Sequence, residues 1–171
     1  MRTVQIPVEA LTLGGFVLAH AAWSISDVEP GELLVPFVII ESGGRRQLTR
    51  FEGESQEAAI ERGKQATRKA TDTADAWAFA REGLMPRGGY KVDVLVVEFW
   101  ARGMTQPALL LQQFSPLKQG QSFRLIDDSQ VAISGQILDL VDARPVLEQV
   151  RNGVESHAKV APLWAGWHAR L

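Results

Sequence analysis

Val92-Asp93-Val94-Leu95-Val96-Val97-Glu98-Phe99-Trp100 is the most apolar stretch of the chain, opened after Gly88-Gly89 and closed by Gly103. A short run of β-branched and aromatic residues between glycine breaks predicts a strand. On a pleated strand Val92, Val94, Val96, Glu98 and Trp100 share one face, and Asp93, Leu95, Val97 and Phe99 share the other. Neither face suits water, so the strand is expected at the centre of a sheet with a layer on each side. The charge at Glu98 is then an anomaly. Desolvation raises the pKa of such a carboxylate, which makes Glu98 the first candidate for a site. The alternative is a structural ion pair with a neighbouring arginine, or a place near the strand end where water reaches. Asp93 points to the opposite face, so the two carboxylates do not form a paired site within the strand. A loose likeness to the acid pattern of metal-dependent nucleases fails at Trp100, where a lysine would be needed.

Working outward on the N-terminal side, Asp75 to Glu82 alternates Trp77 and Phe79 against Ala76, Ala78 and Ala80, which predicts a neighbouring strand followed by a loop over 83–89. Before it, Ser55 has the chemistry of an N-cap, and Ala59, Ile60, Gly63, Ala66 and Ala70 recur at helical spacing. This predicts a helix over residues 55–70 with a small buried face, lying as a lid on the sheet. Ser42-Gly43-Gly44-Arg45 is a hairpin signal that sets Glu41 opposite Arg46 and Ile39 opposite Leu48. Leu33 to Glu41, interrupted by Pro36, and a strand ending at Phe51 flank that turn, with the proline favouring an edge or a bulge. Gly14 and Gly15 open a predicted first strand, Phe16 to Ile25. The apolar run Leu11 to Ala19 with Ala19-His20-Ala21 also has the outline of a signal peptide, but Glu9 precedes it and only one basic residue stands before it. A strand of the fold is the expectation.

On the C-terminal side, Pro107 opens a strand over Ala108 to Phe114, and Phe123–Ile126 with Val131–Ile133 suggest a hairpin around residues 127–130. A helix is expected from Pro145 to before Gly153, then an amphipathic stretch carrying Val160, Leu163, Trp164, Trp167 and Leu171. The halves 1–54 and 74–134 resemble each other weakly as two strand meanders, a likeness that meanders also show for generic reasons. The expected fold is a single α+β domain over residues 1–171, with an antiparallel, meander-rich sheet of six or seven strands, one helix packed on it and a mostly helical region over 137–171.

Composition bounds the function. The chain has 171 residues, 46% hydrophobic and 22% charged, with a formal net charge of −2 and no cysteine. It is long enough to bury about 70% of its unfolded surface. Thiolate nucleophiles, disulfides and cysteine-based metal centres are excluded, which suits the cytoplasm. No segment approaches the ~20 uninterrupted apolar residues of a membrane span. Histidines stand at 20, 157 and 168, without His-x-x-x-His or His-Glu-x-x-His spacing, so no metal site is expected; each reads as an interfacial or capping histidine. There is no nucleophile elbow and no phosphate-cradling glycine loop, so no cofactor is implied. The basic residues between Arg45 and Lys69 are interleaved with glutamates, and a nucleic-acid surface is not expected. The five tryptophans are many for this length. Trp164 and Trp167, with Leu171, would either fold back on the sheet or contact a second subunit or a protein partner. A non-catalytic interaction module acting as a homodimer is therefore the leading expectation. The alternative is a small-molecule binder or metal-independent enzyme with a pocket lined by Glu98, Trp77 and Trp100.

Overall fold

A computed structural model describes residues 5–118 and 120–168. The chain runs α1 (Val8–Ile25), β1 (Phe37–Ser42), β2 (Arg45–Arg50), α2 (Gln56–Thr73), β3 (Ala76–Arg87), β4 (Tyr90–Ala101), β5 (Ala108–Ser115), β6 (Arg124–Ile133), β7 (Gln136–Ile137), α3 (Leu140–Glu155) and α4 (Ala161–His168). The seven strands form one antiparallel sheet in the order β2-β1-β3-β4-β5-β6-β7. The class is α+β, with β4 at the centre, but several helices pack on the sheet where one was expected.

The hairpin at Gly43-Gly44 has the register the turn dictates, with Glu41 opposite Arg46 and Ile39 opposite Leu48. Both glycines have positive φ, the conformation this tight turn demands and other residues resist. Pro36 stands just outside β1, which begins at Phe37, so no ladder donor is lost. Ser55 caps α2, its hydroxyl accepting from the Ala58 N–H at 3.1 Å. The expected loop at 83–87 is instead the extension of β3, whose partner register with β4 continues from Ala76–Ala101 to Arg87–Tyr90.

Three expectations are overturned. The predicted strand Phe16 to Ile25 is part of helix α1. The run looked like a strand because the helix is buried almost all round, by the sheet on one side and α3 on the other, so no polar face marks the helical period. Gly14 and Gly15 are contact residues, not a turn. A Cβ on Gly15 would collide with the Val150 carbonyl, and one on Gly153 with the Thr12 carbonyl, so the two helices touch backbone to backbone. By length and composition α1 could cross a membrane, yet 61% of it is buried within the fold. With a helix in its first half, the weak internal repeat has no structural counterpart. The second correction concerns the expected hairpin over 123–133, where Arg124–Ile133 is one strand, β6, with its register against β5 shifting between Leu111 and Gln113. Buried Gln112 plugs the irregularity, donating to the Gln113, Ile126 and Asp127 carbonyls and accepting from the Ser129 hydroxyl. The turn that sequence reading placed at 127–130 lies at Ser134-Gly135. Third, α3 begins at Leu140 with Asp139 as its cap, so Pro145 falls inside it instead of opening it.

Two cores result, one on each face. The larger one gathers Leu13, Val17 and Leu18 of α1, the alanines 76, 78 and 80 of β3, Leu95, Val97 and Phe99 of β4, and Val146, Val150 and Val154 of α3. The smaller one lies beneath α2 and comprises Val38, Ala70, Ala74, Trp77, Phe79 and Trp100. Helix α2 brings only Ala59, Gly63, Thr67 and Ala70 into full burial and reaches β1 and β3. Gly63 lies so close to the Phe79 ring that a Cβ would overlap it.

Candidate functional site

Three places carry chemistry. The first surrounds Glu98. It lies on the α2 face of β4, opposite Phe79 of β3 and Leu109 of β5. Burial pushes its pKa up, while Arg81 and Lys64 pull it down, and among the described residues Glu98 makes no ion pair or hydrogen bond. Trp77 and Trp100 stack at 6.4 Å and 21°. They are only 1% and 6% exposed, and their indole N–H groups are taken by the Thr71 hydroxyl and the Met104 carbonyl. These rings fill a core and do not line an open pocket. Beyond the edge of α2, however, the same face is covered less completely, although Val94 and Val96 remain buried. Tyr90 is 67% exposed, Val92, Leu109 and Leu111 are half-buried, and Arg81 has no ion-pair partner among the described residues.

The second place is a cavity of about 190 Å³ on the opposite face, at the C-terminal end of α1, bounded by Ile25, Leu33 and Phe114 and reached by Glu82, Asp93 and Lys118. Glu82 accepts a 2.7 Å hydrogen bond from the Leu34 N–H. Burial pushes its pKa up, the Leu34 N–H pulls it down, and Asp93 pushes it up again. Sequence reading placed Asp93 on the face opposite Glu98, so that the two do not pair within the strand. The structure shows that the neighbour of Asp93 on that face is Glu82, one strand away.

The third place joins residues far apart in sequence. His20 on α1 and His157 in the turn between α3 and α4 meet with Nδ1 of the first 3.1 Å from Nε2 of the second. Phe16, Trp23 and Phe37 surround them. The outward nitrogens, Nε2 of His20 and Nδ1 of His157, are buried and have no hydrogen-bond partner among the described residues. Whichever ring donates to the other, one buried N–H is left without an acceptor, a cost of about 1–3 kcal/mol. Because these nitrogens are sealed from water, the pair is not placed to take a proton from a bound substrate. No group of three potential metal ligands occurs among the described residues. Histidine spacing could not reveal this contact, since α1 and α3 bring together positions 137 residues apart.

The C-terminal aromatics divide. Trp167 is buried edge-on to Phe123 at 5.3 Å, so it folds back on the sheet and is not a free contact surface. Trp164 stays half-buried against Trp167 and His168. Leu171 lies outside the described residues. Glu41 pairs with Arg46 at 2.9 Å, and on α2 Arg68 pairs with Glu61, as charges on a solvated face do.

Set against protein-family models, curated proteins and solved structures, the chain matches none. Fold and sites together define an α+β protein with a seven-stranded antiparallel sheet, closed on one face and half-open on the other.

Proposed function

We propose that this protein is a non-catalytic interaction module that works as a homodimer through the open part of its α2-side sheet face. The observation that carries the reading is the part-exposed apolar rim of Tyr90, Val92, Leu109 and Leu111 around the buried Val94 and Val96, with Glu98 and Arg81 beside it and neither in an ion pair among the described residues. Glu98 and Arg81 attract each other across neighbouring strands without forming an ion pair among the described residues, and a patch holding both signs of charge is self-complementary about a two-fold axis, where each can also meet the other's copy. Tyrosine at its end fits the anchor role such surfaces give to aromatic residues. Pairing through a sheet edge is disfavoured. β2 exposes Arg45, Gln47, Thr49 and Arg50, and β7 is two residues long, both recognised devices against edge-to-edge association. Native mass spectrometry at micromolar concentration tests the proposal. A dimer that Leu111→Lys converts to monomer supports it. A wild-type monomer, or a dimer indifferent to Leu111→Lys, overturns it.

A second reading, a small-molecule binder, is favoured by the Glu82–Asp93 cavity and not by the tryptophans near Glu98. Glu32, Glu82 and Asp93 line that cavity against one cation, Lys118, and neither Glu82 nor Asp93 has an ion-pair partner among the described residues, so the ligand chemistry that suits it is a small amine with an apolar body. A bound adduct in the same spectrum, lost in Glu82→Gln, would favour this reading.

A further inference from the structure

The contact between His20 and His157 ties the middle of α1 to the turn from which α4 departs. His157 is the pivot of that turn. Its N–H donates to the Val154 carbonyl at the end of α3, and its own carbonyl accepts from Val160 and Ala161, where α4 starts. His157 is only 6% exposed, and its Nδ1 has nothing to bond. The charges facing the pair are Arg46 and Arg50 from β2 and Lys159 from the turn itself. Arg46 lies 4.9 Å from the Phe16 ring, and Lys159 5.1 Å from the Trp23 ring. Glu41 of β1 is committed to Arg46.

We propose that the two histidines form a proton-operated latch, holding the α3–α4 turn on α1 while neutral and releasing that turn and α4 when the pair is protonated. Adding one proton makes both outward nitrogens donors, and among the described residues neither has a hydrogen-bond acceptor; only the backbone of His157 itself draws on its ring, and burial outweighs it. It also sets a positive charge among three cations in a site lined by aromatic rings. Both effects penalise the closed state alone, because in the open state each ring reaches water. Burial first, then His157 and Arg50, hold His20 down from its ordinary 6.5 to about 4, and burial likewise lowers His157. A proton thus prefers the open form by about 300-fold at His20. The sign follows from linkage. A histidine depressed in the closed form stabilises it fully above pH 6.5, and that stabilisation drains away as the pH falls towards about 4.

The test follows the ring ¹⁵N shifts of histidine-labelled full-length protein from pH 7.5 to 4, with tryptophan fluorescence and amide exchange of residues 156–168 recorded on the same samples. Two rings should remain neutral well below pH 6, then titrate together as α4 loses protection and Trp167 becomes wet. The double variant His20→Gln with His157→Gln, which keeps two polar side chains and no titrating ring, should abolish the acid-induced opening of residues 156–168. Ordinary titration near pH 6.5 with α4 still protected overturns the latch, as does an acid-induced opening of that segment that survives in the double variant. Should that variant fail to fold, the wild-type titration decides alone.

Discussion

The two faces of the sheet are built to different standards. On one, α1, α3 and α4 cover the strands so closely that a helix pair meets at bare backbone and two histidines are sealed with unpartnered nitrogens. On the other, α2 presents four small residues, covers β1 and β3, and leaves Leu109 and Leu111 of β5 and Tyr90 and Val92 of β4 partly exposed. Stability is concentrated on the closed face, where long apolar side chains are removed from water. The open face retains surface that a second molecule can cover. A protein whose cover is complete on one side only has a direction in which to bind.

That contrast can be broken at its strongest point. Gly15→Ala or Gly153→Ala forces a methyl group into a carbonyl of the facing helix, where neither backbone can yield, and should cost about 3 kcal/mol in urea unfolding even after the ~1 kcal/mol of helix propensity that alanine returns. A cost under ~1 kcal/mol would show that α1 and α3 are not so tightly joined. Gly63→Ala is the matching change under α2. Overlap with the Phe79 ring costs about 1–3 kcal/mol, but alanine returns up to ~1 kcal/mol of helix propensity, and a ring can shift where a carbonyl cannot. The net loss should be about 1 kcal/mol, clearly below that of Gly15→Ala. Equal losses would erase the distinction between the faces.

Smaller effects sharpen the picture. Glu98→Gln removes a half-buried charge without a hydrogen-bond partner among the described residues, so the midpoint of unfolding at pH 7 should stay level or rise by under ~1 kcal/mol. A carboxylate whose folded pKa is raised favours the fold below its ordinary 4.5, and this contribution is lost as the pH climbs through the raised value. Glu98→Gln should therefore flatten the pH dependence of stability just above that ordinary value, and a steeper dependence would contradict this placement. Glu41→Gln, breaking the part-exposed pair with Arg46, should cost only ~0.2–1 kcal/mol, measurable as a salt-dependent difference that vanishes at high ionic strength.

Where a single turn or cap decides geometry, the sequence was readable. Gly43-Gly44 set the β1–β2 register, Ser55 set the start of α2, and the glycine-bounded run at 92–100 set the central strand. Where burial is complete, local signals fail. Alanine, glycine and valine in α1 look alike for a helix wrapped on all sides and for a buried strand. The dipeptide Asp127-Asp128 suggested a turn only because the buried Gln112 that accommodates it lies on another strand. Glu98 was found because a charge stands out in an apolar run. Glu82 was missed because it lies in an alternating segment where a charge is ordinary.

The sequence by itself determined the α+β class, the antiparallel pairing around β4 and the small face of α2, because these follow from periodicity, turn chemistry and side-chain size over a few residues. Only the tertiary structure decided that the first apolar segment is a helix, which half of the sheet stays open, and that His20 meets His157. Those outcomes depend on which elements touch across the fold, and no local pattern encodes the partner an apolar surface will find.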